Sequence, residues 1–343
     1  MALSRFGDIG SRTASYNIVE MLRRMVPLMP LERFGQSEVV PLNMTQTVKW
    51  RRFEPLPVTT VPLTEGITPA GHTPTVTDVT ANLVQYGGFI RHSDVILDVA
   101  TDPILANYRD LLAQQCAETL ETVRYQSLLA GSNVFYANGT ARSAVNTVVS
   151  ATLLRKVARM LVRNNAREFT SVVASSPNYA SQAVEAAYIV LSHPDLEYDI
   201  RQLPGFIHKK NYGPGVTALP GELGSWERFR FIESTLFAPF YGAGGTKGSM
   251  IGAGTAADVY PMIVLAMNAW ATVVLRGSYS GSDRSADGTS VVSPVDLIVK
   301  NPGSGGAEDP MNQRGSVSWK TMFTAQILQD AWMCRVEVAA TEL

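Results

Sequence analysis

The sequence predicts a mixed α+β fold in which one long helix and one extended hairpin stand apart from a body of alternating helix and strand. Three observations predict it. Pro41, Pro55, Pro57, Pro62, Pro69 and Pro74 divide residues 41–80 into short β-prone runs, where neither helix nor a central strand can form. Asp102-Pro103 and Gly131 bracket an unbroken apolar stripe at helical spacing. From about residue 144 helical and strand periodicities alternate, with Gly- and Pro-rich connectors between them.

Taken in order, Ile18, Leu22 and Met25 recur at three- and four-residue spacing, which predicts a helix over residues 11–25 that Pro27 and Pro30 end. One short helix followed by prolines reads as an arm lying on another surface. Next, Thr47-Val-Lys-Trp-Arg-Arg-Phe53 and Val58-Thr-Thr-Val61 alternate as strands do, and Gly66 and Gly71 offer turning points. This hairpin has too few apolar residues for a core of its own, and an isolated hairpin is marginal in water. It must therefore lie against another surface, in this chain or in a neighbour.

A strand-like stretch follows from Val76 to about Val99, with a bulge or bend expected at Gly87-Gly88. The long helix then spans residues 102–130. Asp102 is its N-cap, Pro103 suits its first position and Gly131 can close it. Leu105, Tyr108, Leu112, Cys116, Leu120 and Val123 form its stripe, and at 1.5 Å per residue it extends about 42 Å. Ser150 caps another helix, with Leu153, Leu154, Val157, Met160 and Leu161 inward. Residues 169–174 read as a strand, and Ser176-Pro177 opens a helix expected to reach about Val190. Loops follow at 204–224 and 241–254, residues 259–275 divide into strands, and 277–288 and 301–306 are connectors. Residues 316–340 close the chain, with a strong strand in Met333-Cys-Arg-Val-Glu-Val338.

Composition bears on function. Charged residues make up 17% of the chain, below the roughly 25% of a typical soluble domain, which implies a surface largely covered by partners. The basic residues comprise seven Lys and 22 Arg; Arg suits ion pairs at interfaces, although GC-rich coding explains the same bias. A net charge of −1 excludes a global basic field. Residues 1–54 hold eight basic and five acidic side chains, an excess of three, compatible with a weakly basic surface facing DNA. Cys116 and Cys334 lie in apolar patterns and are expected as buried thiols in a reducing cytoplasm. The start lacks an apolar signal core, and the uncharged run 259–275 falls short of the roughly 20 residues of a membrane span. No secreted or membrane-embedded state is expected.

Motifs of catalysis are weak. His72, His92, His193 and His208 are scattered without zinc-helix spacing and read as surface or turn histidines. Gly252-Ala-Gly254-Thr-Ala-Ala257 matches a relaxed dinucleotide pattern, but Pro261 prevents the helix that would receive a pyrophosphate. Near Gly242 the order is Lys247-Gly-Ser249, the reverse of a P-loop, and Asp283-Arg-Ser-Ala-Asp287-Gly288 lacks the final Glu of a calcium loop. No enzymatic activity, cofactor or metal is expected.

Four motifs in fixed order carry a resemblance: Leu63-Thr-Glu-Gly66; Gln85-Tyr-Gly-Gly-Phe89 leading to Ser93-Asp94; Thr101-Asp-Pro103; and Asp309-Pro-Met-Asn-Gln-Arg-Gly-Ser-Val-Ser-Trp-Lys320 followed by Arg335-Val-Glu337. Over essentially its whole length the chain resembles the Hong Kong 97-type capsid fold, and more narrowly the major capsid protein family typified by coliphage N-four. The resemblance implies an N-terminal arm (1–45), an E-loop (46–78), a P-domain (79–143) with its spine helix (102–130), an A-domain (144–300) and a C-terminal segment (301–343) returning to the P-domain. It implies hexamers and pentamers closing into an icosahedral head around double-stranded DNA, assembled in the bacterial host cytoplasm. Portal protein, and scaffolding or decoration proteins, are the further partners it implies.

Within that picture Lys49, Trp50, Arg51, Arg52, Phe53, Glu54 and Glu65 are expected as intersubunit contacts, with Trp50 and Phe53 beside two arginines suiting a hot spot. Arg23 and Arg24 would face DNA phosphates or another subunit. Some capsids of this fold crosslink a Lys to a neighbour's Asn; Lys49 is the one lysine before residue 156, but nothing indicates the catalytic acid. The alternatives are a nanocompartment shell of the same fold and, more remotely, a soluble α+β enzyme with a carboxylate site.

Overall fold

A computed structural model describes residues 29–40, 45–60, 62, 65–66, 68, 71–99, 104–173, 181–213, 217–252, 254–275, 295–303 and 309–343. The expected arm helix at 11–25, Arg23 and Arg24, the spine opening at 101–103 and the connector 277–288 lie outside them.

The chain enters with strands β1 (Gln36–Val40), β2 (Thr47–Phe53), β3 (Val76–Asn82) and β4 (Val84–Ser93), then helices α1 (Asp94–Val99) and α2 (Ile104–Leu129). Strand β5 (Val134–Tyr136), helix α3 (Ala151–Arg163), strands β6 (Phe169–Val173) and β7 (Ser181–Ser192) and helix α4 (Glu197–Arg201) follow. The strands β8 (Ile207–His208), β9 (Glu222–Trp226), β10 (Phe229–Glu233), β11 (Tyr260–Leu265) and β12 (Trp270–Leu275) come next. The last three are β13 (Asp296–Lys300), β14 (Arg314–Ile327) and β15 (Met333–Val338). Among the described residues no helix is long and apolar enough to cross a membrane.

β14 organises the first sheet. One edge pairs antiparallel with β4, and the other with β13 and then β12, while β1 joins β12 in parallel. Alternation along β14 turns Val317, Trp319, Phe323 and Ala325 inward, onto the face covered by α2. From that helix Tyr108, Leu112, Cys116, Leu120 and Leu128 enter the same core. A long helix is therefore present over Ile104–Leu129, and its stripe also carries two ionisable residues, Glu121 and Arg124, which are buried.

The second sheet runs β5-β15-β11-β7-β10-β9-β8, with β6 on β7. Its two faces are both buried. Tyr188, Val190, Phe231, Met262 and Val264 pack with Leu153, Leu154, Val157 and Leu161 of α3, whose N-cap Ser150 accepts from the Leu153 amide at 3.3 Å. Ile189, Leu191, Ile232, Ile263 and Leu265 join the core of α2 instead.

Four expectations change. Of the helix expected from 176 to 190, the described residues 181–190 belong instead to β7, a strand held between β11 and β10. From Ala187 to Leu191 this strand is buried on both faces, and such a stretch reads as a continuous apolar run with no period-two signal. The strand-like stretch to Val99 ends at Ser93, where α1 begins. Gly87-Gly88 makes no bulge, because β4 and β14 stay in register from Val84 to Ser93. Gly131 follows α2 without a left-handed conformation; a Cβ there would stand 2.9 Å from Met333 Cε, the movable end of a side chain. In addition β12 and β13, within the 144–300 range, belong to the sheet of β14, while β15 belongs to the other sheet.

Both cysteines are buried thiols, and burial pushes the Cys116 thiol up to about 12.

Candidate assembly interface

The hairpin β2–β3 forms a two-stranded sheet of its own. Its register pairs Val48 with Ala81, Lys49 with Thr80, Trp50 with Val79, Arg51 with Asp78, Arg52 with Thr77 and Phe53 with Val76. Period-two alternation therefore splits the expected contact residues into two faces.

Val48 and Trp50 turn inward onto a cluster of Val40, Leu83 and Val273. Arg52 continues that face: Nη1 donates to Leu328 O at 3.4 Å, and Nη2 donates to Glu54 Oε1 at 2.7 Å. Glu54 also accepts from Thr77 Oγ1 at 3.0 Å, and these donors hold its carboxyl below the usual range. The Leu83 amide donates to Gln46 O, and Gln46 Nε2 to Leu83 O, both at 2.9 Å. The hairpin is thus rooted in its own subunit.

The other face is open. Lys49 and Arg51 are exposed, and Arg51 forms a two-pronged pair with Asp78, Nε to Oδ1 at 3.0 Å and Nη2 to Oδ2 at 3.3 Å. The pair lowers the Asp78 carboxyl and raises the Arg51 guanidinium. Phe53 is 64% exposed beside its cross-strand neighbour Val76, also exposed. Beyond them the ribbon continues with Leu56 and Val58, the latter 87% exposed. Thr59 Oγ1 and His72 Nε2 are hydrogen-bonded at 3.1 Å across the ribbon, and Glu65 is exposed at a turn where Gly66 takes φ +81°, a conformation that favours glycine.

Of the residues expected as contacts, Lys49, Arg51, Phe53 and Glu65 stand outward, while Trp50, Arg52 and Glu54 serve the root. Sequence reasoning missed Asp78, Leu56, Val58 and Val76. The alternation of residues 76–82 against 47–53 was the available signal.

The remaining polar groups support the body. Glu121 accepts from the Leu31 amide at 2.8 Å and from Arg124 Nη1 at 3.3 Å, tying the entering segment to α2. Arg142 makes a two-pronged bond to buried Glu337 (2.9 and 2.8 Å) and stacks 3.6 Å from the centre of Phe240. Arg335, beside Glu337, donates to Leu129 O at the end of α2. His193 and His208 each accept a local amide, from Asp195 and Lys210, at 3.2 Å. His92, expected in a turn or on the surface, is fully buried on β4. The amides of Gly244 and Gly245 are bonded to Ala257 O and Val145 O at 2.9 and 2.8 Å, so they do not cradle a phosphate.

The family sequence model described as phage capsid protein matches residues 76–332. No curated protein sequence matches the chain. Among solved structures, the chain is similar to the capsid of Ralstonia phage GP4, with TM-score 0.61 and 13% identity over 90% of this chain and 88% of that one. The cyanophage Pam1 capsid asymmetric unit gives TM-score 0.62 and 10% identity over 98% and 96%. The head structure of Helicobacter pylori bacteriophage KHP40 gives 0.58 and 10% over 97% and 94%. At these identities the likeness speaks for the fold, which is α+β and of the Hong Kong 97 type. With a family match over well more than half its length, the chain belongs to the phage capsid protein family.

Proposed function

We propose that this major capsid protein assembles as hexamers and pentamers into an icosahedral head around double-stranded DNA, with residues 46–78 lying over a neighbouring copy. The observation that carries the proposal is the row of exposed apolar side chains Phe53, Leu56, Val58 and Val76 on a ribbon whose own subunit leaves them uncovered. Exposed apolar surface of this kind marks an interaction site. Lys49, Arg51, Phe53 and Glu65 meet the neighbour, and Trp50, Arg52 and Glu54 set the angle at which the ribbon leaves its root.

The sheet of β14 with α2 corresponds to the P-domain, the second sheet with α3 to the A-domain, and β2–β3 to the E-loop. The role is structural and not enzymatic. Within the phage capsid family the chain is assigned to the coliphage N-four-like branch on its C-terminal motif around Trp319. Portal and scaffolding or decoration proteins are its further partners, assembly takes place in the bacterial cytoplasm, and Arg23 and Arg24 face DNA or another subunit. The family match favours this reading over a nanocompartment shell or an enzyme.

Replacing residues 55–75 with a short glycine linker tests the proposal. The variant is expected to fold with unchanged circular dichroism and to form no closed shells under the electron microscope. Normal shells from it would refute the role of the ribbon.

A further inference from the structure

One surface carries charge that the assembly reading does not use. Residues 151–167 contain Arg155, Lys156, Arg159, Arg163 and Arg167 and no acidic residue. Because α3 buries Leu153, Leu154, Val157 and Leu161 against the second sheet, helical periodicity turns Arg155, Lys156, Arg159 and Arg163 outward, and Arg167 follows in the segment after the helix. All five are exposed. Arg155 is engaged by Glu227 at 2.6 Å. No carboxylate among the described residues lies within ion-pair distance of the other four. Lys156, Arg159 and Arg163 line an open cleft of about 420 Å³ together with Phe135, Met160 and Asn164.

Like charges three and four residues apart repel along a helix, so the row costs stability that an anionic partner would return. A basic amphipathic helix can also lie on a membrane, but the apolar face of this one is inside the protein. In a second copy Asp78, Glu168, Glu197 and Glu342 are already paired with Arg51, Arg228, Arg201 and Lys247, whereas Glu65, Asp98 and Glu185 are exposed, so the test below separates a contact between copies from a contact with DNA. The stripe from Lys156 to Arg163 extends about 10 Å at 1.5 Å per residue, and each strand of a DNA duplex presents a phosphate about every 3.4 Å of axis.

We infer that the outer face of α3, with the segment that follows it, is a nonspecific docking site for the phosphate backbone of double-stranded DNA, with Lys156, Arg159 and Arg163 on the helix and Arg167 just beyond it as its cations. The inference rests on the reading of the chain as a shell around DNA, and it names the surface that meets it. Phosphate contacts position a duplex without reading its sequence.

The test uses the full-length protein and a mixed-sequence duplex, with affinity followed by fluorescence anisotropy across a salt series. The variant K156Q/R159Q/R163Q/R167Q is expected to flatten the log–log salt slope by about three to four, since each neutralised phosphate contributes about 0.9. The charge-retaining variant R159K/R163K/R167K keeps the slope. If the quadruple variant does not fold, R159Q and R163Q singly each lower the slope by about 0.9. Absence of wild-type binding, or equal slopes in wild type and neutralised variants, overturns the site. So does loss of closed shells with DNA binding intact, which would make the face a contact between copies. Electron microscopy of the same wild-type samples reads assembly separately: absent shells sink the assembly reading and leave the salt slope to judge the face.

Discussion

The indole Nε1 of Trp319 on β14 donates to Oε1 of Gln115 on α2 at 3.1 Å. Gly88 lies directly across from Trp319 in the β4–β14 register, and a Cβ on it would stand 2.3 Å from Gln115 Oε1 and 2.9 Å from Trp319 Nε1. The glycine is there so that helix and sheet can close around this bond. Gly88→Ala is expected to destabilise the subunit by about 1–3 kcal/mol, the usual cost of overpacking. Urea unfolding measures it; an unchanged midpoint would mean that the helix yields freely.

The two faces of the hairpin should respond differently. Trp50→Ala removes a half-buried ring from the root and is expected to cost about 2 kcal/mol, less than the roughly 3–5 kcal/mol of a fully buried aromatic. Phe53→Ser, on the open face, should change stability by no more than about 0.5 kcal/mol while reducing shell yield. Thermal unfolding beside particle counts separates them, and normal yield from Phe53→Ser would remove that side chain from the interface.

Burial raises the Glu121 carboxyl from 4.5 to about 7, against the pull of Arg124 and the Leu31 amide. A carboxyl that holds its proton more tightly when folded stabilises the fold below its unfolded value and loses that contribution as pH rises through the folded one. Stability should therefore fall between about pH 4.5 and 7, and Glu233, also raised to about 7 by burial, acts in the same window. Burial of His92 acts with opposite sign: its pKa is lowered, so its contribution is present above pH 6.5 and is lost as pH falls. Glu121→Gln is expected to flatten the decline by up to about 3 kcal/mol. Denaturant titrations at a series of pH values check this, and a slope identical to wild type would contradict it.

Arg230 is buried and meets the fully buried Glu222 with two bonds of 2.7 and 2.8 Å. Removing one partner strands the other charge, so Arg230→Met is expected to cost about 3–5 kcal/mol. Adding Glu222→Leu should restore much of it, although the Tyr212 hydroxyl and Leu219 amide then lose their acceptor. A double variant no better than the single one would show that those donors matter more than the charge.

Much of the fold was legible because its signals are local. The apolar stripe from Leu105 to Val123 announces α2, Ser150 announces α3, and the break in residues 259–275 separates β11 from β12. The hairpin was legible for the same reason, since prolines and alternation act within a few residues. The strand β7 was not, because Ala187-Tyr-Ile-Val-Leu191 is apolar at every position and only the strands on either side of it, β11 and β10, choose strand over helix. Nor was the burial of Glu121 and Arg124, which depends on the segment near Leu31 crossing α2 some 90 residues away.

By itself the sequence determined where the chain can be helical, where proline forbids it, and that residues 46–78 lack a core. Those are properties of short stretches, set by backbone sterics and side-chain periodicity. The tertiary structure alone decided which face of the hairpin is root and which is open, and that β12 and β13 join β14. Strand pairing and the choice of buried face are settled between residues far apart in the chain, where no local pattern reaches.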